Sequence, residues 1–163
     1  MRILGIDPGL ATVGFGIIDT DGSKYTLFNY GVLTTPASAS LPERLKLIYD
    51  GIQELIKGYS PDIVAVEELF FNTNVTTALN VAQARGTILI AARECTDRIY
   101  EYTPLQVKQA VVGYGRAGKG QIQRMVQALL NMPELPRPDD AADALAVALC
   151  HAHTKNLSEL FRI

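Results

Sequence analysis

Asp7 closes one short apolar run, Glu67 closes another, and Asp140 and Asp143 lie one helical turn apart near the end of the chain. If a fold gathers these four carboxylates, it makes a cage of negative charge. Two unit charges about 4 Å apart repel by roughly 4 kcal/mol at an effective dielectric of ~20, so such a cage must take up protons or a cation. All-oxygen ligands suit Mg²⁺ or Mn²⁺, and a pair of such ions is the recurrent device for hydrolysing phosphodiesters. Divalent metal chemistry on a phosphodiester is therefore the expectation that these residue types raise.

Each position also has a plainer reading. Asp7 could cap the Pro8-Gly9 bend, and Glu67 could be a strand end reaching water. Glu68 is a rival to Glu67, but strand alternation should turn its side chain to the opposite sheet face. Asp139 and Asp140 are favoured at a helix start by the macrodipole alone. Asp143 is not so explained, because it interrupts Ala141-Ala142-Asp143-Ala144-Leu145, where a lone carboxylate is costly unless paired or metal-bound. Positions 140 and 143 share a helix face, as do 139 and 143, and spacing does not choose between them.

Cationic residues concentrate elsewhere. No acid occurs between Glu101 and Glu134, whereas Lys108, Arg116, Lys119 and Arg124 all do. The net charge is −2, and setting aside the four suspected ligands leaves +2, so a phosphate-rich partner is admissible despite a pI near 5.7. Leu69-Phe70-Phe71 puts two aromatics just after Glu67, where an exposed ring could stack on an unpaired base. His151 and His153 have no zinc-site spacing, Cys95 and Cys150 make no disulfide framework, and neither a Ser-His-Asp set nor a P-loop is present.

Elements that must position these groups follow from pattern. Arg2–Asp7, Thr12–Asp19 and Lys24–Thr34 read as strands of an antiparallel meander, with Asp21-Gly22 as the hairpin turn. Ser40 with Glu43 is a capping box opening a helix with apolar positions Leu41, Leu45, Ile48, Ile52 and Leu55. Asp62–Glu67 is a strand buried on both faces. A helix over about 76–94, a strand over 98–102, and a helix from Thr103-Pro104 to Gly113 follow. Gly113, Gly115, Gly118 and Gly120 mark a connector, then come an amphipathic helix over 119–131 and a last helix from Pro138 past His151. Gly5, Gly9, Gly14 and Gly16 strip side chains from the first hairpin, which would let a ligand backbone approach. The tail carries no strong pattern. The fold class expected is α/β, a mixed five-stranded sheet with helices on both faces, in which the ends of the first and fourth strands lie side by side. One domain over 1–155 and a tail over 156–163 are expected. No signal peptide or membrane span is recognised, and a reducing cytoplasm is the expected location.

The ordered set Gly5-Ile6-Asp7-Pro8-Gly9, Val64-Ala65-Val66-Glu67, Gln83-Ala84-Arg85-Gly86, Thr103-Pro104 with Val107-Lys108, and Asp140-Ala141-Ala142-Asp143-Ala144 resembles the RuvC family of bacterial Holliday-junction resolvases over nearly the whole chain. That resemblance implies a ribonuclease-H-like fold, a homodimer, and Mg²⁺-dependent nicking of two like strands across four-way junction DNA, in recombination and repair beside RuvA and RuvB. It implies two Mg²⁺ ions per site, replaceable by Mn²⁺, held by Asp7, Glu67, Asp140 and Asp143, which selects Asp140 over Asp139. It places Lys108 and Lys119 near the site and makes Phe70 the junction-probing aromatic. Three rivals stay open: an actin-like phosphotransferase, which would need a second lobe, a non-catalytic nucleic-acid-binding module, and a ribonuclease of RNA–DNA hybrids.

Overall fold

The computed structural model describes residues 1–69, 75–154 and 158–163, with backbone alone at 75–77 and 158. Strands β1 (Arg2–Asp7), β2 (Thr12–Thr20), β3 (Tyr25–Thr34), β4 (Ile63–Glu67) and β5 (Ile99–Tyr102) form one sheet in the order β3-β2-β1-β4-β5. The first three are antiparallel, and β4 and β5 run parallel to β1. This is the mixed five-stranded sheet expected from the pattern, in the ribonuclease-H-like arrangement that the resemblance implies.

Helices α1 (Leu41–Tyr59) and α2 (Val75–Arg93) cover one face, and α3 (Pro104–Val112), α4 (Lys119–Leu129) and α5 (Asp139–His153) cover the other. Strand alternation assigns the two cores. Leu4, Ile6, Val64 and Val66 pack under α1 and α2, whereas Ile3, Ile63 and Ala65 pack under α3 to α5. Local signals act as expected. The N–H of Ser40 donates to Glu43 Oε2 at 2.7 Å, and Thr103 and Gln106 cap one another reciprocally. Gly113 ends α3 with φ 88°, a left-handed conformation that glycine adopts without penalty.

Two expectations need correction. Gly5, Gly14 and Gly16 make room for α5, not for a ligand: a Cβ on Gly5 would lie 2.2 Å from the carbonyl oxygen of Ala144, and one on Gly14 would lie 2.0 Å from that of Asp140, whereas Gly9 lies against the Thr12 carbonyl. The alanines of α5 complement them, so helix and sheet meet backbone to backbone. The tail is also ordered where described. Ser158–Phe161 forms a 3₁₀ turn, and Arg162 and Ile163 then pair with Tyr100 and Ile99 along the open edge of β5. A sheet edge left unpaired is a template for association, which the tail covers. Among the described residues, no helix is long and apolar enough to cross a membrane.

Candidate active site

Parallel pairing of β1 with β4 aligns Ile6 with Val66, so Asp7 and Glu67 follow side by side at the strand ends. Both occupy odd positions and therefore face α5. Their carboxyl groups lie within interaction range of each other. Two carboxyls so placed and largely buried favour keeping a proton on the pair, since adjacent anions repel. From above, α5 brings Asp143 and Asp140 near enough for their charges to act on Asp7. The close backbone approach at Gly14, which pairs with Asp7 across β1 and β2, is what carries the start of α5 to this point.

Electrostatics follow from that crowding. Burial, then the charges of Glu67 and Asp143, push the Asp7 carboxyl up to about 9. Burial likewise raises Glu67, with Lys108 and Lys119 opposing, and raises Asp143 against the pull of Lys119. Lys119 Nζ sits 3.5 Å from Asp143 Oδ2, and that carboxylate in turn raises the lysine. The site thus meets its charge problem with a shared proton and an ammonium group. Among the described residues, no three His, Cys, Asp or Glu side chains already stand where they could hold a metal ion. The donor chemistry nevertheless fits a hard divalent cation: every group is a carboxylate oxygen, and a partly buried acid that keeps its proton to about pH 9 is a place where a cation would displace that proton.

Two depressions flank the carboxylates. One, of about 500 Å³, is lined by Asp7, Glu67 and Glu68 with Leu105, Lys108 and Gly115, and the other, of about 250 Å³, by Glu67, Lys108, Lys119 and Asp143. Lys108 belongs to both. Glu68 therefore faces the same hollow as Glu67, contrary to strand alternation. β4 ends at Glu67, and the Glu68 N–H carries its bonding to β5 one step farther, to the Tyr102 carbonyl at 2.8 Å, as the Val64 N–H bonds to the Arg98 carbonyl. At the end of the strand both glutamates border the hollow. Asp139 accepts from Gln123 Nε2 at 2.8 Å, toward α4. Arg116 and Arg124 are exposed, the latter with Nε bonded to the Gly120 carbonyl, and neither lines the two depressions. Phe70 lies outside the described residues.

Comparison with known proteins gives a consistent picture. The family model described as "Crossover junction endodeoxyribonuclease RuvC" matches residues 3–151. A protein of that name from Alkaliphilus oremlandii is 59% identical over 163 residues, covering 100% of this chain and 99% of the relative. One from Desulfitobacterium hafniense is 58% identical over 157 residues, 96% of this chain and 95% of that one. Among solved structures, "T. thermophilus RuvC in complex with Holliday junction substrate" superposes with a TM-score of 0.91 at 39% identity, covering 96% of each chain.

Proposed function

The chain belongs to the RuvC family of crossover junction endodeoxyribonucleases, and from that premise we propose that it resolves four-way DNA junctions by paired, Mg²⁺-dependent nicks in two strands of like polarity. The observation that carries this reading is the convergence of Asp7, Glu67, Asp140 and Asp143 on one end of the sheet, with Asp7 raised by burial and by its acidic neighbours. The nicks would leave 5′-phosphate and 3′-hydroxyl ends, as recombination and repair require of ends passed to a ligase. One nuclease unit over 1–155 carries the chemistry, with 156–163 as its tail.

Asp7, Glu67, Asp140 and Asp143 are the residues that would hold two Mg²⁺ ions, for which Mn²⁺ could substitute. When bound, such a pair supplies an activated water and charge stabilisation for the leaving oxygen. The other roles fall to the chain's own residues. Lys119, whose Nζ lies 3.5 Å from Asp143 Oδ2, would offer its ammonium to the phosphoryl oxygens. Lys108, common to both hollows, holds a phosphate beside them. Arg116 and Arg124, exposed on the acid-free stretch, meet the junction arms farther out, and Phe70 contributes a ring to the open bases.

A homodimer matches the two-fold symmetry of a junction and explains paired incisions. The unpartnered face of α2 supports it. Leu79 and Ile90 are 58% and 61% exposed three helical turns apart, and Gly86 between them opens onto free space. RuvA and RuvB are the proposed branch-migration partners.

A synthetic four-way junction incubated with the protein tests the reading. Symmetric nicks that DNA ligase reseals, seen with Mg²⁺ or Mn²⁺ and abolished by EDTA, are expected. Equal cutting of linear duplex or of an RNA–DNA hybrid, or binding without cutting at any metal concentration, would refute it.

A further inference from the structure

A third hollow, of about 410 Å³, opens beside the turn between β1 and β2 and shares Asp140 with the site described above. Gly9, Leu10, Ala11 and Thr12 form one wall, and Arg44, Asn80, Val81 and Asp140 the rest. Asp140 is the link: it lines this hollow, while its charge also acts on Asp7. Asp140 thus places this hollow next to the carboxylate site.

Arg44 is held ready there. Its Nε donates to Thr35 Oγ1 at 2.8 Å, and the buried Thr35 hydroxyl donates to the Leu10 carbonyl at 2.6 Å. The Thr35 N–H bonds to the Ala11 carbonyl at 3.0 Å, which ties the same threonine to the hairpin a second time. The guanidinium is thus fixed through one nitrogen, and among the described residues it pairs with no carboxylate. The N–H groups of Gly9, Leu10 and Ala11 donate to no protein acceptor among the described residues, and Asn80 adds an amide. Fixed donors around an unneutralised arginine are a setting for a tetrahedral oxyanion. Asp140 sets the inner limit, since an anion would be driven from its carboxylate toward Arg44.

We propose that this hollow is a phosphate site for the cleaved strand, in which Arg44 and Asn80 grip a phosphodiester within two nucleotides of the scissile one and hold the strand in register across Asp7. Arg44 is a positioning residue here, and the inference rests on the junction-cutting reading of the preceding subsection.

Junctions in which uncharged methylphosphonate replaces one phosphate at a time test it. Affinities are measured in EDTA over a range of salt for the wild type, Arg44→Gln, Arg44→Lys and Asn80→Ala, and single-turnover cutting is followed in Mg²⁺. The wild type should lose about tenfold in affinity at one methylphosphonate within two nucleotides of the cut. Arg44→Gln should lose about tenfold on the unmodified junction, show a log K against log salt slope smaller by about one, and lose nothing more at that methylphosphonate. Arg44→Lys should keep the slope, and Asn80→Ala should weaken the same position alone. Wild-type affinity and slope in Arg44→Gln would overturn the proposal. So would undiminished sensitivity of that variant to every methylphosphonate, or a lowered melting temperature with an unchanged slope, which marks a bracing role only. Should Arg44→Gln fail to fold, the Asn80→Ala and Arg44→Lys profiles decide by the same criteria. A wild type that neither binds nor cuts junctions removes the functional reading itself, a result distinct from any of these.

Discussion

The Asp7 carboxyl, raised to about 9, has the opposite linkage to that of an ion-paired acid. Its folded value lies above its unfolded value of 3.8, so without metal it favours the fold below pH 3.8 and disfavours it progressively as pH rises toward 9. Asp7→Asn mimics the protonated acid and should therefore stabilise the metal-free protein by roughly 1–3 kcal/mol near neutral pH, with no gain at pH 4. Melting curves in EDTA across that range check the sign. The same variant should lose junction cutting by at least about 10³-fold and lose the Mg²⁺-induced rise in melting temperature, while keeping wild-type junction affinity in EDTA, because the protonated carboxyl that it replaces carries no charge there either. His151 works the other way. Burial against Tyr100 and Tyr102, with Arg98 adding to it, lowers its imidazole to about 4 from 6.5. A neutral imidazole is what the fold accepts, so stability should fall by about 3 kcal/mol as pH drops from 6.5 toward 4. His151→Phe should flatten that acid limb in urea titrations, with the Tyr102 hydroxyl still bonded to Thr154.

At the scale of elements, what brings the acids together is a contact between backbones. A methyl group on Gly14 would sit 2.0 Å from the Asp140 carbonyl, so Gly14→Ala must push the start of α5 away from β1 and β2. A loss of about 2–4 kcal/mol and a fall in cutting larger than the loss of folded protein are expected. Gly58→Ala is the control: it lies inside α1 with nothing within 4 Å of a new Cβ, and should stabilise by about 0.5–1 kcal/mol. Thermal denaturation of the pair should give opposite signs for one chemical change. The contrast also shows what was legible in the chain. Strand ends at Asp7 and Glu67, the caps at Ser40 and Thr103 and the face of α1 are local signals, and the structure repeats them within a residue or two. That Gly5, Gly14 and Gly16 accommodate α5 depends on a partner more than 100 residues away, which no local pattern encodes. Glu68 was set aside because alternation was taken to keep it from the site, whereas at a strand's end neighbouring residues border the same hollow. The tail's pairing with β5 uses backbone donors that leave no trace in residue type.

For the whole molecule, the proposed paired cutting requires two sites, and one site per chain then requires two chains. A surface of 8399 Å² would give up about a tenth of its area to a standard interface, and the face of α2 carrying Leu79, Gly86 and Ile90 is long enough to supply the centre of one. That face is apolar without being part of either core, and the helix is apolar on several sides, so burying its inner side leaves Ile90 outside. Ile90→Lys changes a side chain 61% exposed in the single chain, and should shift the stability of that chain by no more than about 0.5 kcal/mol. In a two-fold assembly it would set two ammonium groups against each other in a desolvated patch, where unpaired charge is costly. Sedimentation should then report a monomer under conditions in which the wild type sediments as the proposed dimer. Junction substrates should accumulate as singly nicked molecules, because one incision no longer commits the second. A variant that stays dimeric and still cuts in pairs would place the symmetry axis on another face.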